Sequence, residues 1–330
     1  MKINCKTIFK AAIGVLLLGI ALTKIDLNKT WSNLQGCDYI FLLLAASVSF
    51  GSVLWVIWVR KGLLSLLEKT LYVEMLKAFF VSNYIANFTP ANIGGLLGEP
   101  WGLYSFSQGR IPVEKGLAFV ILTAITQNIR RILLTLLGVV FFSSLLPKGY
   151  IGVILLAVLA YVVYSIAVLI LIFPHLKMAF ILKPVLLFLD RFSKTFSKKL
   201  KIFAGKVGDH FRLLLSKKKS YFILTVLVIS NVVLESLRLW LLLLAFGVSF
   251  NFFSLLLIPS LAYSVTVLPI SLGGLGVTEI SGMIVFQSFG IAPEVAFPVV
   301  FLDRFLFTYW GFVMGAFLVP FMKVPYRLNG

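Results

Sequence analysis

The sequence predicts an all-α polytopic membrane protein, with six transmembrane helices and two re-entrant hairpins arranged as an inverted-topology repeat. Three observations predict it. Hydrophobic residues make up 60% of the 330 and charged residues only 13%, against roughly 45–50% and about 25% in soluble chains. The apolar residues recur in blocks of about 20, the length of helix that spans a bilayer's hydrocarbon core. Two further apolar regions are interrupted at midpoint by similar proline and glycine clusters. With a mean hydropathy of +1.03 and 31 phenylalanines, a water-soluble globule is excluded.

The first apolar run, about Ile8 to Leu22, follows Lys2, Lys6 and Lys10 and ends near the small residues Gly19 to Ala21. A retained span and a signal peptide both fit that pattern. Further spans lie at about Tyr39 to Val59, Gly116 to Leu145, Ile151 to Phe173, Tyr221 to Phe246 and Val295 to Val319. Cys5 and Cys37 flank the first run and so face opposite sides of the membrane, which argues against a disulfide or a thiolate metal site.

The two interrupted regions are Tyr72 to Gly109 and Phe253 to Gly290. Their breaks carry Pro90, Gly94, Gly95 and Gly98 in one and Pro269, Gly273, Gly274 and Gly276 in the other. Charge decides how they enter the bilayer. If the first crossed once, the basic stretch from His175 to Ser220 would lie outside, against the tendency of Lys and Arg to remain in the cytoplasm. A hairpin that returns to its own side instead leaves Arg60, Lys61, Arg110, Lys115, twelve basic residues of the long loop, Lys323 and Arg327 inside. Only Lys24, Lys29 and Lys148 then lie outside, and the +18 formal charge reads as topology rather than as a nucleic-acid surface. The second hairpin must then enter from the outer face, with both termini cytoplasmic.

The hairpins resemble each other. Pro90 to Leu96 and Pro269 to Leu275 share the pattern PxxxGGL, each followed by a glutamate, Glu99 or Glu279, and then by a span carrying arginine, Arg130-Arg131 or Arg304. The predicted organisation is a first repeat over 1–173 with its hairpin at about 72–109, a basic loop over 174–220, and the rest of the second repeat over 221–330 with its hairpin at about 253–290. The span 151–173 belongs to the second repeat. Non-helical backbone at membrane depth needs protein or a wet cavity around it, so breaks from opposite faces predict a polar midplane cavity. Half-helix N-termini after Gly95 and Gly274 would suit an anion. The alternative is that the glycines only let helices pack closely.

Eight ionisable residues fall at membrane depth: Glu99, Arg130, Arg131, Glu235, Arg238, Glu279, Asp303 and Arg304. Left in lipid at roughly 2.5–3.5 kcal/mol each they would cost about 20–28 kcal/mol together, so they must pair or line water. Glu235 and Arg238, three apart on one helix, are expected to form a local ion pair. Glu99, Arg130, Arg131, Glu279 and Arg304 are the candidate substrate-binding residues. The glutamates either hold the hairpins through the arginines or face the cavity and meet a substrate cation; the arginines can grip a lipid phosphate. Arg130 and Arg131 point in different directions, so one at most faces the cavity.

In the long loop, Leu189, Phe192, Phe196, Leu200, Phe203, Val207, Phe211 and Leu214 recur in steps of three and four among Lys and Arg. This predicts an amphipathic helix within 184–219, flat on the anionic inner leaflet or docked on a partner. The only histidines, His175 and His210, lie in this loop, and no catalytic residue, metal site, Walker loop or cofactor motif is found. The expectation is a non-enzyme.

Leu268-Pro269-x-x-x-Gly273-Gly274-Leu275-Gly276-x-x-Glu279, then Gly290-Ile291, Arg304 and Gly315, resemble the C-terminal half of the lysylphosphatidylglycerol synthase transmembrane region, the flippase-like domain of multiple peptide resistance factors. Pro90, Gly98-Glu99 and the arginine pair resemble that family's earlier motif. The resemblance spans about Ile8 to Pro320. It implies a stand-alone flippase-like protein that carries a polar-headgroup lipid between leaflets, such as an anionic or aminoacylated phospholipid or a prenyl-phosphate-linked sugar. Lipid synthesis is not implied, because the aminoacyl-transfer domain has no counterpart here. Gln127-Asn128-Ile129-Arg130-Arg131 departs from the family's acidic-arginine pairing. The competing expectations are a proton- or ion-coupled small-solute transporter and a non-catalytic membrane subunit of a lipid-modifying enzyme. A cell-membrane location and membrane-lipid partners follow from any of the three.

Overall fold

The structure, a computed structural model, describes residues 5–89, 94–172 and 194–322. Every regular element among the described residues is helical. The chain runs through α1 (Cys5–Thr23), the short α2 (Leu27–Gln35) and α3 (Tyr39–Leu64), then α4 (Tyr72–Asn87) and α5 (Gly94–Phe106). Next come α6 (Val113–Phe142), α7 (Lys148–Ile172), α8 (Lys194–Ser216), α9 (Lys218–Ala245), α10 (Phe252–Leu255) and α11 (Ile258–Tyr263). Finally α12 (Val277–Ser288), α13 (Pro293–Arg304) and α14 (Trp310–Leu318) close the fold.

Polar residues between the apolar runs start these helices. Asp26 accepts from the Asn28 and Lys29 amides at 3.0 and 3.2 Å, and Asp38 from the Ile40 amide at 2.8 Å, filling N–H groups a first helical turn leaves unpaired. Glu74 does the same for the Leu71 amide at 3.0 Å. Pro112 precedes α6, where its missing N–H is no loss.

Five helical stretches are long and apolar enough to cross a bilayer: α3, α6, α7, α9 and the run Pro293–Phe321. That run joins α13 to α14 through a π-helical turn, Phe305–Tyr309. The predicted count of six is therefore five by length and composition. The first apolar run forms α1, of which Ala12–Thr23 is a shorter apolar stretch. Side chains such as Leu43, Val140, Phe141, Leu159 and Phe317 face outward, an apolar exterior suited to lipid rather than water.

Among the described residues the interior has two large apolar cores and a small third cluster around Ala157, Tyr161 and Val267. One gathers α3, α4, α5, the start of α6 and the start of α9 around Ile57, Leu63, Met75, Leu103, Phe119 and Leu227. The other gathers the end of α9 with α11, α12 and α13 around Leu239, Leu242, Leu261, Phe286 and Val299. Arg130 and Arg131 of α6 and Glu235 of α9 fall between the stretches of their helices that fill the two cores.

The first interrupted region is a pair of helices, α4 and α5, packed along each other. Pro90 lies outside the described residues. Regular helix ends at Asn87 and restarts at Gly94, so the expected interruption is present at the start of the cluster but does not extend across Gly95 to Gly98. Helix α5 begins at Gly94 and runs through Gly95, Gly98 and Pro100 without interruption. Gly98 instead allows close approach, because a Cβ there would stand 3.0 Å from the Ile85 side chain.

In the second region the helix stops at Tyr263, a 3₁₀ turn carries the chain to Val267, and regular helix resumes at Val277. Gly273 and Gly276 hold φ of +57° and +77° between them, a backbone that side chains with a Cβ rarely adopt. A Cβ at Gly273 would strike the Asn87 carboxamide. The glycine turn of the second region thus abuts the end of α4, while α1 packs against its other side at Leu275.

The basic helix departs from expectation. Its part at 184–193 lies outside the described residues. In α8, Val207, Phe211 and Leu214 are buried in the first core. The apolar face of that part is covered by the protein's own helices and not by lipid.

Candidate functional site

Four buried ion pairs bind the helices together at and between the two cores. Arg60 of α3 reaches both carboxylate oxygens of Glu99 on α5 through Nη2 at 2.6 Å and stacks its guanidinium 5.1 Å from the Phe119 ring. Arg130 of α6 pairs with Glu235 of α9 at 3.2 Å. Arg238, one turn further along α9, pairs through Nε with Asp303 of α13 at 2.5 Å, and Tyr263 donates to the other Asp303 oxygen at 2.7 Å. Arg304 pairs with Glu279 of α12 at 3.2 Å.

Two sequence expectations are corrected. Glu235 and Arg238 share a helical turn but bond to different helices, because buried partners on α6 and α13 offer shorter, better-enclosed contacts than a pair along one helix surface. Glu99 does not meet Arg130, Arg131 or Arg304; its partner is Arg60, which in the sequence reads only as a topology charge. Arg60 lies at the end of a span, where basic residues usually mark a membrane face, so position concealed its role.

Glu279 and Arg304 lock the glycine turn. Glu279 accepts from the Gly276 amide at 2.7 Å and from the Tyr309 hydroxyl at 2.7 Å. Arg304 donates to the carbonyls of Gly273 at 2.7 Å and Gly274 at 3.0 Å. Thr278 donates to the Gly274 carbonyl as well, at 2.8 Å. The anion expected at the N-terminus of α12 is therefore the protein's own Glu279, whose side chain is fully buried. Tyr309 belongs to the π-helical turn, which no apolar periodicity announces.

Arg131 is different. It donates to the Tyr161 hydroxyl at 3.2 Å and to the Tyr263 carbonyl at 3.5 Å, and among the described residues it forms no ion pair with a carboxylate. Five arginines (Arg60, Arg130, Arg131, Arg238, Arg304) thus stand with four carboxylates (Glu99, Glu235, Glu279, Asp303), and the surplus charge is on Arg131. As the sequence suggested, Arg130 and Arg131 diverge: one is taken by Glu235, and the other faces open space.

That space is two cavities. The first, of 270 Å³, is lined by Arg60 and Glu99, by Gln127, Asn128 and Arg131 of α6, and by Tyr161 and Tyr164 of α7, among others. The second, of 260 Å³, lies over Asn83, Asn87, Arg131, Glu235, Arg238 and Asp303, with Gly273 and Arg304 at its wall. Arg131 and Thr266 line both, so one guanidinium stands where the cavities adjoin. Each approaches the low end of small-ligand sites, about 300 Å³. A guanidinium with spare donors, held by a phenol and a carbonyl rather than a carboxylate, can exchange those partners for the oxygens of a phosphate. Among the described residues no group of His, Cys, Asp and Glu is placed to hold a metal ion.

A family described as the lysylphosphatidylglycerol synthase TM region matches residues 7–315 of the chain. No curated protein and no solved structure matches it.

Proposed function

The chain belongs to the lysylphosphatidylglycerol synthase transmembrane-region family, a family of membrane domains associated with lipid modification or flipping, and from that premise we propose that it moves a polar-headgroup lipid between leaflets. The observation that carries the reading is Arg131, the one arginine of the buried set without a carboxylate, standing between two cavities. The headgroup phosphate would replace Tyr161 and the Tyr263 carbonyl on this guanidinium in turn from each cavity, while the tails stay in the bilayer. No covalent step is assigned to the chain; it acts as a carrier and not as an enzyme.

This reading keeps the topology argued from charge. Both termini are cytoplasmic in a cell membrane. The hairpin at about 72–109 enters from the cytoplasm and that at about 253–290 from outside, as halves of an inverted repeat divided by the loop 174–220. Their contact at Asn87 and Gly273 would be the barrier that opens. Outward basic residues of α8, Lys206 among them, would meet anionic inner-leaflet lipids. A lipid-modifying enzyme is the partner class that would supply the cargo.

Protein reconstituted in liposomes should accelerate the movement of acyl-labelled phosphatidylglycerol, read as label made accessible to an impermeant quencher. Arg131→Ala should lose at least tenfold of that acceleration and Arg131→Lys should keep part of it. An undiminished rate in Arg131→Ala removes the site. No acceleration by the unaltered protein removes the function.

A further inference from the structure

We propose that a groove between the end of α3 and the start of α9 holds one anionic phospholipid of the surrounding leaflet, at a site separate from the two cavities on Arg131. The groove has a volume of 440 Å³, within the range of small-ligand sites. Gly62 leaves it hollow: a Cβ there would meet only the Ile223 side chain, at 3.8 Å. Lys217 donates to the Leu66 carbonyl and so ties the start of α9 to the chain leaving α3, which fixes the two walls relative to each other.

One end of the groove is charged. Lys61 in the last turn of α3 and Lys219 in the first turn of α9 both line it. Among the described residues neither pairs with a carboxylate, and no acidic side chain shares the lining. The other end is apolar, with Trp58 on α3 and Phe222 and Val226 on α9. From Lys219 to Val226 the helix rises about 10 Å, room for the first part of an acyl chain. Trp58 is exposed and stacks on Trp55 at 5.3 Å, the kind of residue that sits at the headgroup level of a bilayer.

These two ends select the occupant. Lysine binds phosphate as a point charge, so a free phosphate would satisfy Lys61 and Lys219 but leave the apolar end empty. A zwitterionic lipid would fill the apolar end but bring its own cation beside the two lysines. A phospholipid with net negative charge satisfies both. The leaflet is the cytoplasmic one under the topology argued from charge.

The test reconstitutes the full chain in phosphatidylcholine vesicles that carry a minor fraction of either phosphatidylglycerol or phosphatidylcholine brominated on its acyl chains, which quench a tryptophan they touch. Each background is measured with and without Trp58→Phe, and the part of the quenching that Trp58→Phe removes reads the groove. Two lysines beside one phosphate should make that part about fivefold larger for phosphatidylglycerol at equal dose. Lys61→Gln combined with Lys219→Gln should bring the two lipids level. Gly62→Leu, which fills the hollow and keeps both lysines, should do the same, whereas Arg131→Ala should keep the preference. A preference that survives Gly62→Leu means that the lysines attract anionic lipid diffusely, and it overturns the groove. A preference lost in Arg131→Ala, or erased by inorganic phosphate at constant ionic strength, overturns it in favour of the cavities or of a free anion. Equal quenching by the two lipids in the unaltered chain overturns it outright.

Discussion

Glu235 and Arg238 lie one turn apart on α9 and bind in opposite directions, Glu235 to Arg130 of α6 at 3.2 Å and Arg238 to Asp303 of α13 at 2.5 Å. One helical turn thus ties a helix that follows the first hairpin to one that follows the second. On α9 the tie adjoins the second apolar core, where α9, α13 and the end of α6 already pack, and adds a charged clamp to that packing. Removing water from charge is costly, so each pair stabilises only while both partners are present.

Asp303→Asn should therefore destabilise far more than its one-atom change suggests. It leaves Arg238, with 4% side-chain exposure, without the carboxylate it is bonded to, and breaking a buried pair from one side costs about 3–5 kcal/mol. Adding Arg238→Met removes the stranded charge, so the double variant should recover a substantial part of the unfolding midpoint lost by Asp303→Asn. Thermal unfolding of the detergent-solubilised protein reads both. Additive losses would mean that the two residues do not act as a pair.

Tyr309→Phe tests the lock on the glycine turn. The hydroxyl donates to Glu279 at 2.7 Å, and deleting a hydrogen bond to a buried carboxylate costs about 1.5–3 kcal/mol. The loss should appear as faster hydrogen exchange at Leu275 to Ile280, with α4 and α5 unaffected. Uniform exchange across the fold would place Tyr309 in general packing instead.

Much of this arrangement was legible in the sequence. The apolar blocks located the long helices, Pro269 and the glycines after it located the second break, and the cost of charge in lipid singled out eight residues of which all but Arg131 form buried pairs. The pairings were not legible. Periodicity says which residues share a helix face but not which helix lies opposite, so Glu235 and Arg238 read as partners when each has a nearer one. Arg60 was misjudged because one position can serve both topology and a buried pair. The hydroxyls of Tyr161, Tyr263 and Tyr309 carry no such signal, since aromatic residues are expected throughout membrane helices. Gly95 and Gly98 looked like a break because glycine serves both to bend a chain and to let helices touch; here α5 continues through them.

His210 should make the docking of α8 sensitive to pH. Partial burial and then nearby Lys115 hold its pKa below the usual value, against the weaker raising effects of Glu114 and Asp209. A base depressed in the folded state prefers to be neutral there, so its contribution is complete above the unfolded value, about 6.5. It is lost as pH falls from that value through the folded one. Amides of Phe203 to Leu214 should exchange a few-fold faster at pH 5 than at pH 7.5 after correction for intrinsic rates, and His210→Gln should flatten the difference. A pH response unchanged in His210→Gln would assign it to other groups.

Gly276 and Gly247 separate backbone strain from helix contact. Both have positive φ, +77° and +70°, so alanine strains each, by about 1 kcal/mol in the left-handed region and by more at Gly276, whose ψ of −44° lies outside that region. Around Gly247 there is nothing within 4 Å of an added Cβ, whereas at Gly276 it would stand 2.6 Å from the Gly14 carbonyl oxygen and 2.7 Å from Leu17 Cβ. Gly247→Ala should therefore show the strain alone. Gly276→Ala should add the cost of pushing α1 off the turn, about 1–3 kcal/mol more, and should loosen the carbonyls that Arg304 holds. Unfolding midpoints of the two variants measure the difference, and disulfide trapping between cysteines placed on α1 and α12 should weaken only in Gly276→Ala. Equal midpoints with equal trapping would show that α1 does not brace the turn.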